Sequence, residues 1–517
     1  MMPEFQSVEI QDCFFLEAPK VIPKWDNFSK FGKIRDLFPF RKVIFEKKFV
    51  GRKKKFVVYE NVLISDIGSE GKSIARVNDM VVFTSNVIPG DMVDLQVTRS
   101  KKRYQEARVI RIRKESADRI KPFCHHFGTC GGCKWQFLPY EKQLYYKGKQ
   151  VTDQLTRIGG LVLPPINPVI GSGNDRYYRN KLEYTFSDKG WLTENEIRSG
   201  GEFTNRKALG FHIPGLFDKV VHIRKCWLQG EISDSIRNYL YQYALDNNLD
   251  FFDLRNGTGF LRNLIIRTTL TGEVMVIIAL FRDDSEAIVQ LLESLKCRFP
   301  EITSLNYVIN NKRNDTLYDQ KIICYSGRDF IIEEIENLKF KISPKSFFQT
   351  NSEQVFYLYR VVREYAGLTG KEVVYDLYTG TGTIANFLAL HAEKVIGIDN
   401  VADAISDARE NARFNNILNT RFFDGDIKEV LTTRFLKENG QPDVVVTDPP
   451  RAGMHGDVVK TILEASPQKI VYVSCNPGTQ ARDLSMFSSD YQVEKVQPVD
   501  MFPHTQHVEN VVFMRRK

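Results

Sequence analysis

The spacing of apolar and polar residues changes character twice along the chain. Between residues 56 and 118 it runs in short β-rich stretches at 61–64, 80–83, 93–97 and 107–112, separated by turn signals at Gly68, Gly71 and Pro89-Gly90-Asp91. Strands this short and evenly spaced predict a small OB-like barrel. Residues 119–340 hold strand-like runs such as 261–268 and 274–281 and predict an α+β domain. From residue 341, strand-length apolar runs at 373–377, 394–399, 443–448 and 469–475 alternate with helical stretches. That alternation predicts an α/β domain on a doubly wound parallel sheet. Residues 1–55 mix aromatic and basic residues without a period and are read as an extension of unassigned function. The expected organisation is thus an extension (1–55), a barrel (56–118), a central domain (119–340) and a C-terminal α/β domain (341–517).

Composition narrows the class. Hydrophobic residues make up 42% of the 517 positions and charged residues 26%, as in ordinary globular proteins. The longest apolar run, 274–281, has eight residues, far short of a bilayer span. The N-terminus carries early acidic residues and no continuous apolar core, unlike a signal peptide. A cytoplasmic monomer without a membrane partner is expected. The net charge of +8 is modest, but residues 101–121 hold nine Lys or Arg against three Asp or Glu, and Arg52-Lys53-Lys54-Lys55 forms a second basic run. With Tyr104 inside the first run, the barrel is expected to meet RNA.

The C-terminal third carries the chemistry. The strand at 373–377 runs into Tyr378-Thr379-Gly380-Thr381-Gly382-Thr383, after which 384–390 reads as helix. The next strand ends in Asp399, where a carboxylate can accept from both ribose hydroxyls of a nucleoside. Asp426 ends a third strand-like run and is placed to meet an adenine amino group. The set suits S-adenosylmethionine or a dinucleotide, and the third glycine expected of the latter is missing.

Three motifs follow in order: Asp448-Pro449-Pro450-Arg451, Ser474-Cys475-Asn476-Pro477 and His507-Val508-Glu509. Uracil C5 is a poor nucleophile, and adding a thiolate at C6 creates the enolate that a methyl donor can alkylate. A base must then remove the C5 proton so that the thiol can leave. Cys475 stands at the carboxyl end of a predicted parallel strand, the edge where α/β sheets bind ligands, and Asp448 ends a neighbouring one.

These residues resemble the RNA uridine-5-methyltransferases of the TrmA and RlmD type. The resemblance covers residues 56–517 and includes Ser346-Phe347-Phe348-Gln349-Thr350-Asn351, Asp376-Leu377-Tyr378, the three motifs above and the run 500–509. It implies a multidomain chain: an N-terminal OB-like (TRAM) β-barrel, a central α+β domain with a cysteine cluster and a C-terminal α/β Rossmann-like methyltransferase domain. It further implies Cys475 as nucleophile and Glu509 as proton acceptor. Gln349, Tyr378, Thr383, Asp399, Asp426 and Asp448 would line the S-adenosylmethionine site, with Gln349 and Asp448 also near the uracil. The last strand would run antiparallel, bringing Glu509 to the edge that holds Cys475. Thr383 stands where many relatives carry Asn, and Asp399 where many carry Glu. A cytosine-C5 enzyme of the RNA type would usually have a second cysteine in the turn at 448–451, and an adenine enzyme would have an aromatic ring where Arg451 stands. A noncatalytic RNA-binding or ribosome-assembly factor is the alternative from another class.

Eight cysteines in a chain this long are no disulfide scaffold, but Cys124, Cys130 and Cys133 crowd into ten positions, which in a reducing compartment points to metal. Gly131 and Gly132 are expected to tighten the turn, and Cys226 is the candidate fourth ligand. RlmD-type enzymes show this pattern of three close cysteines and one distant, binding a 4Fe-4S cluster. Zinc is the alternative, with His125 and His126 as possible substitutes. Cys13, Cys297 and Cys324 read as isolated structural thiols. Arg176, Arg179, Lys181, Arg262 and Arg267 are expected to hold phosphates. The barrel and the cluster favour 23S rRNA as substrate, and the tRNA T-loop is the second choice.

Overall fold

A computed structural model describes residues 42–45, 56–192, 194–200 and 206–517. Cys13 and the basic run 52–55 lie outside the described residues, as does all of the N-terminal extension except the strand Lys42–Phe45. That strand pairs antiparallel with Phe56–Ile67. Phe56–Ile67 also pairs with Ser73–Val77 and with Met92–Ser100, and this last pairing closes a five-stranded barrel. Alternate residues of its strands point inward, so Val62, Ile64, Ala75, Val82, Val93 and Leu95 fill the interior.

The central sheet has seven strands, all antiparallel to their neighbours except Val274–Leu280 and Ile302–Ile309, which pair in parallel. Its middle strands, Leu261–Thr268 and Val274–Leu280, are buried along nearly their whole length. One face packs on the helices Glu231–Asp246 and Ser285–Arg298. The other contributes Ile265, Met275, Ile277 and Ala279 to the core of the C-terminal domain.

The C-terminal sheet also has seven strands. Five are parallel, in the order Thr420–Asp424, Lys394–Asp399, Val373–Leu377, Val444–Thr447 and Lys469–Ser474. The antiparallel strand Glu509–Arg516 then inserts beside Lys469–Ser474, with Tyr491–Val499 outermost.

Two elements from earlier in the chain belong to this domain physically. The helix Tyr140–Arg157 buries Val151 and Leu155 in its core. The hairpin of Ile331–Ile335 and Leu338–Ile342 buries Ile331, Phe340 and Ile342 on its other side. The same helix carries Lys147, which is wholly buried and bonds Asp500 Oδ1 at 2.5 Å and the carbonyl of Phe502 at 3.0 Å. Tyr140 Oη donates to the second Asp500 oxygen at 3.0 Å. The loop that follows Tyr491–Val499 is therefore tied to a helix more than 350 residues away in sequence.

Removing one partner of a buried ion pair leaves the other charge uncompensated, at a cost of about 3–5 kcal/mol. Lys147→Met is expected to lose stability on that scale in urea unfolding of the intact protein. Lys149→Met, whose partners Asp66 and Asp153 are partly exposed, should cost less than about 1 kcal/mol.

Candidate active site and cysteine pocket

Ser474 faces Asn510 in the antiparallel ladder. One step further, Cys475 and Glu509 come opposite each other, at the edge where the parallel strands end. The strand stops there because Asn476 caps the helix Pro477–Phe487, accepting from Gly478 N–H at 3.1 Å, with Pro477 in its first turn. The turn at 448–451 is laced to this cap: the Arg451 carbonyl accepts from Asn476 Nδ2 at 3.1 Å and from Thr479 Oγ1 at 3.0 Å. The Arg451 side chain then reaches the Cys475 thiol, to which it donates, and approaches His507 Nδ1 at 3.4 Å.

The electrostatics follow from enclosure. Burial pushes the Cys475 thiol up, Glu509 adds to the rise, and Arg451 works against both. Glu509 is pushed up to about 7 by burial, with Arg451 opposing. Burial and the neighbouring Glu509 hold Asp448 well above the usual carboxylate range. His507 is held well below its ordinary value by burial and by Arg451.

The glycine loop opens into the same cavity, which has a volume of about 1550 Å³. Gly380 and Gly382 have φ of 54° and 72°, and a Cβ on Gly382 would strike Ala408 at 2.8 Å, whereas nothing stands within 4 Å of one on Gly380. Tyr378 also has positive φ, 62°, which is costly for an aromatic residue and typical of functional turns. The Asp399 oxygens each accept one backbone N–H, from Gly380 and Val401, both at 2.9 Å. Thr383 Oγ1 lies 2.9 Å from Tyr359 Oη. Gln349, Tyr378, Thr383, Asp399 and Asp448 all line the cavity together with Cys475 and Glu509. Asp426 is not among the lining residues. It caps the helix Ile427–Val430 and pairs with Lys428 at 3.3 Å, close enough to Tyr378 to raise its phenol.

A family model described as tRNA (uracil-5-)-methyltransferase matches residues 263–517, and a TRAM domain model matches residues 56–110. The chain is 56% identical over 451 residues to an "uncharacterized RNA methyltransferase" of Bacteroides thetaiotaomicron, covering 87% of this chain and 99% of the relative. A protein of the same description from Porphyromonas gingivalis is 54% identical, covering 88% and 99%. The chain belongs to the tRNA (uracil-5-)-methyltransferase family. Among solved structures it is similar to the Pyrococcus abyssi tRNA (uracil-54, C5)-methyltransferase in complex with S-adenosyl-L-homocysteine, with 28% identity, a TM-score of 0.67 and coverage of 87% of this chain and 99% of that one. The TRAM barrel and Rossmann-like sheet are the folds expected from the sequence, and the protein is an S-adenosylmethionine-dependent RNA methyltransferase of the TrmA and RlmD type.

The loop suits that cofactor on its own evidence. Asp376, fully enclosed beneath it, accepts from Thr379 Oγ1 at 2.5 Å while its Oδ1 meets no donor, and burial pushes it up to about 7. Asp376 does not line the cavity; what the cavity offers the cofactor is the Asp399 carboxyl and the open space at Gly380. Arg451 is the site residue to which sequence reasoning gave no role. It belongs to the motif Asp448-Pro449-Pro450-Arg451, and its position after the strand ending at Thr447 was the available signal.

Cys124, Cys130, Cys133 and Cys226 line the far end of the cavity. Each sulfur faces a donor: the amides of His126 and Phe127 at Cys124, of Gly132 at Cys130 and of Leu228 at Cys226, and the Gln136 side chain at Cys133. Burial pushes all four thiols up, Cys226 to about 11 and Cys133 to about 12. Among the described residues, no three Cys, His, Asp or Glu side chains converge closely enough to hold a single metal ion. His125 is exposed and His126 half-buried. The left-handed turn falls at Gly128, φ 84°, rather than at Gly131 or Gly132; Gly132 instead donates to Cys130 Sγ at 3.4 Å.

Other expectations need correction. Arg262 is buried, bonding Asp315 and the carbonyls of Asn310, Lys312 and Asn314, and Arg267 is buried against the carbonyls of Pro344 and Ser346. The Arg262 donors are taken by Asp315 and these loop carbonyls, whereas Arg267 lines the cavity and its Nε is buried without a partner. Cys297 and Cys324 are exposed and have no core to support.

Arg451→Met is expected to slow alkylation of Cys475 by iodoacetamide several-fold, followed by peptide mass spectrometry against exposed Cys297 as internal standard. An unchanged rate would show that the guanidinium does not support the thiolate.

Proposed function

We propose that the protein forms 5-methyluridine in structured RNA, with Cys475 as nucleophile and Glu509 as base. The observation that carries this reading is the facing of Cys475 and Glu509 across one ladder step, with Arg451 on the thiol, in a cavity shared with the glycine loop. Bound S-adenosylmethionine supplies an electrophilic methyl group. Gln349, Tyr378, Thr383, Asp399 and Asp448 would hold it, with Asp426 meeting the adenine from the rim beside Tyr378.

The Cys475 thiol gives up its proton to water in the cavity, Arg451 favours the resulting thiolate, and the thiolate adds to uracil C6 as the electron pair moves to C5 and O4. Asp448, kept protonated by burial, can donate a hydrogen bond to the developing enolate oxygen. Once C5 carries the methyl group, the Glu509 carboxylate takes the C5 proton, the C5–C6 double bond re-forms and the C6–S bond breaks. The thiolate returns to Arg451. The noncatalytic reading has no observation in its favour, since the pair is complete and enclosed.

The substrate proposed first is 23S rRNA, on the joint presence of the TRAM barrel and the cysteine quartet. Transfer RNA is the second reading, favoured by the similarity to the Pyrococcus abyssi tRNA enzyme. The four cysteines are proposed to hold a 4Fe-4S cluster, a larger body than a single ion and one that four amide-faced thiolates suit. They would order the central domain, since the chemistry above requires no electron. We place the protein in the cytoplasm; no helix among the described residues is long and apolar enough to cross a membrane.

Glu509→Gln is expected to accumulate a covalent protein–RNA adduct in cells, and sequencing the attached RNA identifies the substrate as rRNA or tRNA. Cys475→Ala should form none and turn over none. Glu509 works only when deprotonated, so adduct breakdown in the wild type should rise with pH through about 7 and level off above it. A flat profile from pH 5.5 to 8.5, or a Glu509→Gln protein without adduct, would remove the base from its role. Anaerobically purified protein should be brown, with iron and sulfide in equal amounts. Colourless protein with stoichiometric zinc would sink the cluster.

A further inference from the structure

Beside the cysteine quartet, five side chains form an array of aromatic rings and cations that the chemistry above does not use. Arg176 lies over the Phe123 ring at 4.2 Å and over Trp227 at 5.6 Å. The Tyr177 and Trp227 rings lie with centroids 5.8 Å apart and planes tilted by 43°, and Lys225 sits 5.3 Å from one ring and 5.1 Å from the other. The array is built rather than incidental. Tyr177 N–H donates to the Trp227 carbonyl at 2.8 Å, and Phe123 and Trp227 adjoin the proposed ligands Cys124 and Cys226. Its outer members remain open to solvent, Tyr177 being 41% exposed. Tyr177 also holds φ at 56°, a backbone conformation costly for a residue with a Cβ. Strain that turns a large ring outward, with no core to fill, points to a ligand.

Location says which ligand. Trp227 and Lys225 line the cavity that contains Cys475. Tyr178, next in the chain, donates to the Pro503 carbonyl at 3.0 Å, and Phe123 meets the His504 ring edge-on at 5.0 Å. The array thus borders the cavity that holds Cys475 and is joined to the loop leading to Glu509. A uridine can reach Cys475 only by leaving its stack, which strips its neighbours of a stacking partner. Aromatic rings interleaved with cations recover that stacking and neutralise the adjoining phosphates.

We infer that Tyr177 and Trp227, flanked by Arg176 and Lys225, form a stacking platform for a nucleobase adjacent to the target uridine. This rests on the RNA methyltransferase reading above. The platform holds the RNA while the uridine is out of its stack, so it acts on binding and not on bond formation.

The test uses unmodified 23S rRNA and tRNA transcripts as acceptors of labelled methyl groups. Against whichever transcript is methylated, Tyr177→Ala should raise KM about tenfold, with kcat changed less than about twofold and S-adenosylhomocysteine affinity unchanged. Tyr177→Phe and Tyr177→Trp should keep the wild-type KM, because either ring stacks. An acceptor with abasic sites flanking the target should cost the wild type the same factor, and Tyr177→Ala nothing further. A Tyr177→Ala enzyme with wild-type KM, or a ring-independent loss shared by Tyr177→Phe, would overturn the platform and leave the proposed function standing. If the wild type methylates neither transcript, that function fails and the platform with it.

Discussion

The antiparallel insertion of Glu509–Arg516 beside Lys469–Ser474 is the constraint from which the rest of the site follows. Parallel strands alone bring only their carboxyl ends to the ligand edge; a strand entering in the opposite sense brings its first residue there instead. Cys475 leaves one strand as Glu509 enters the next, and a shift of one residue would turn either side chain to the other face. Such a register needs the incoming loop held as firmly as the strands. The buried contact of Lys147 with Asp500 and the bonds of Gln143 to the His504 backbone and ring do this. Both anchors come from a helix that, in sequence, belongs to the central segment.

That helix shows why the fold was only partly legible. Period and turn signals indicated where strands and helices lie, and the alternation after residue 341 indicated the class of sheet, because those depend on neighbours in sequence. An amphipathic helix declares which face is apolar and not which sheet it will meet. Nothing in the Tyr140–Arg157 pattern distinguishes docking on the central sheet from docking on the C-terminal one. The hairpin at 331–342 is ambiguous for the same reason. Arg262 illustrates a related limit: a basic residue on a strand looks the same in sequence whether it faces RNA or a ring of loop carbonyls.

The site was more legible than the packing, since chemistry restricts residue types where packing restricts only polarity and volume. Cys475, Glu509 and the glycine loop could be named because few other residues perform their tasks. Arg451 had no assigned role because its action depends on what stands nearby, the Cys475 thiol. Gly131 and Gly132 drew the eye as turn formers, yet a glycine beside a thiol serves equally as a close amide donor. Gly132 does so at Cys130.

The same enclosure bears on exchange of the cofactor. Asp448 and Glu509 are both raised by burial, with Arg451 opposing the rise at Glu509, so the site is poor at keeping negative charge. A cation entering it shifts the balance: Glu509, raised only to about 7, is then favoured in its ionised form, whereas Asp448, held well above the carboxylate range, keeps its proton. A sulfonium is such a cation, and it loses its charge when its methyl group departs. Glu509, ionised beside it, takes up the C5 proton afterwards, which weakens its hold on the neutral product. The burial that makes Glu509 a base near neutrality thereby also favours exchange of product for fresh cofactor. Both effects come from one enclosure, whose shape the register of the last two paired strands determines.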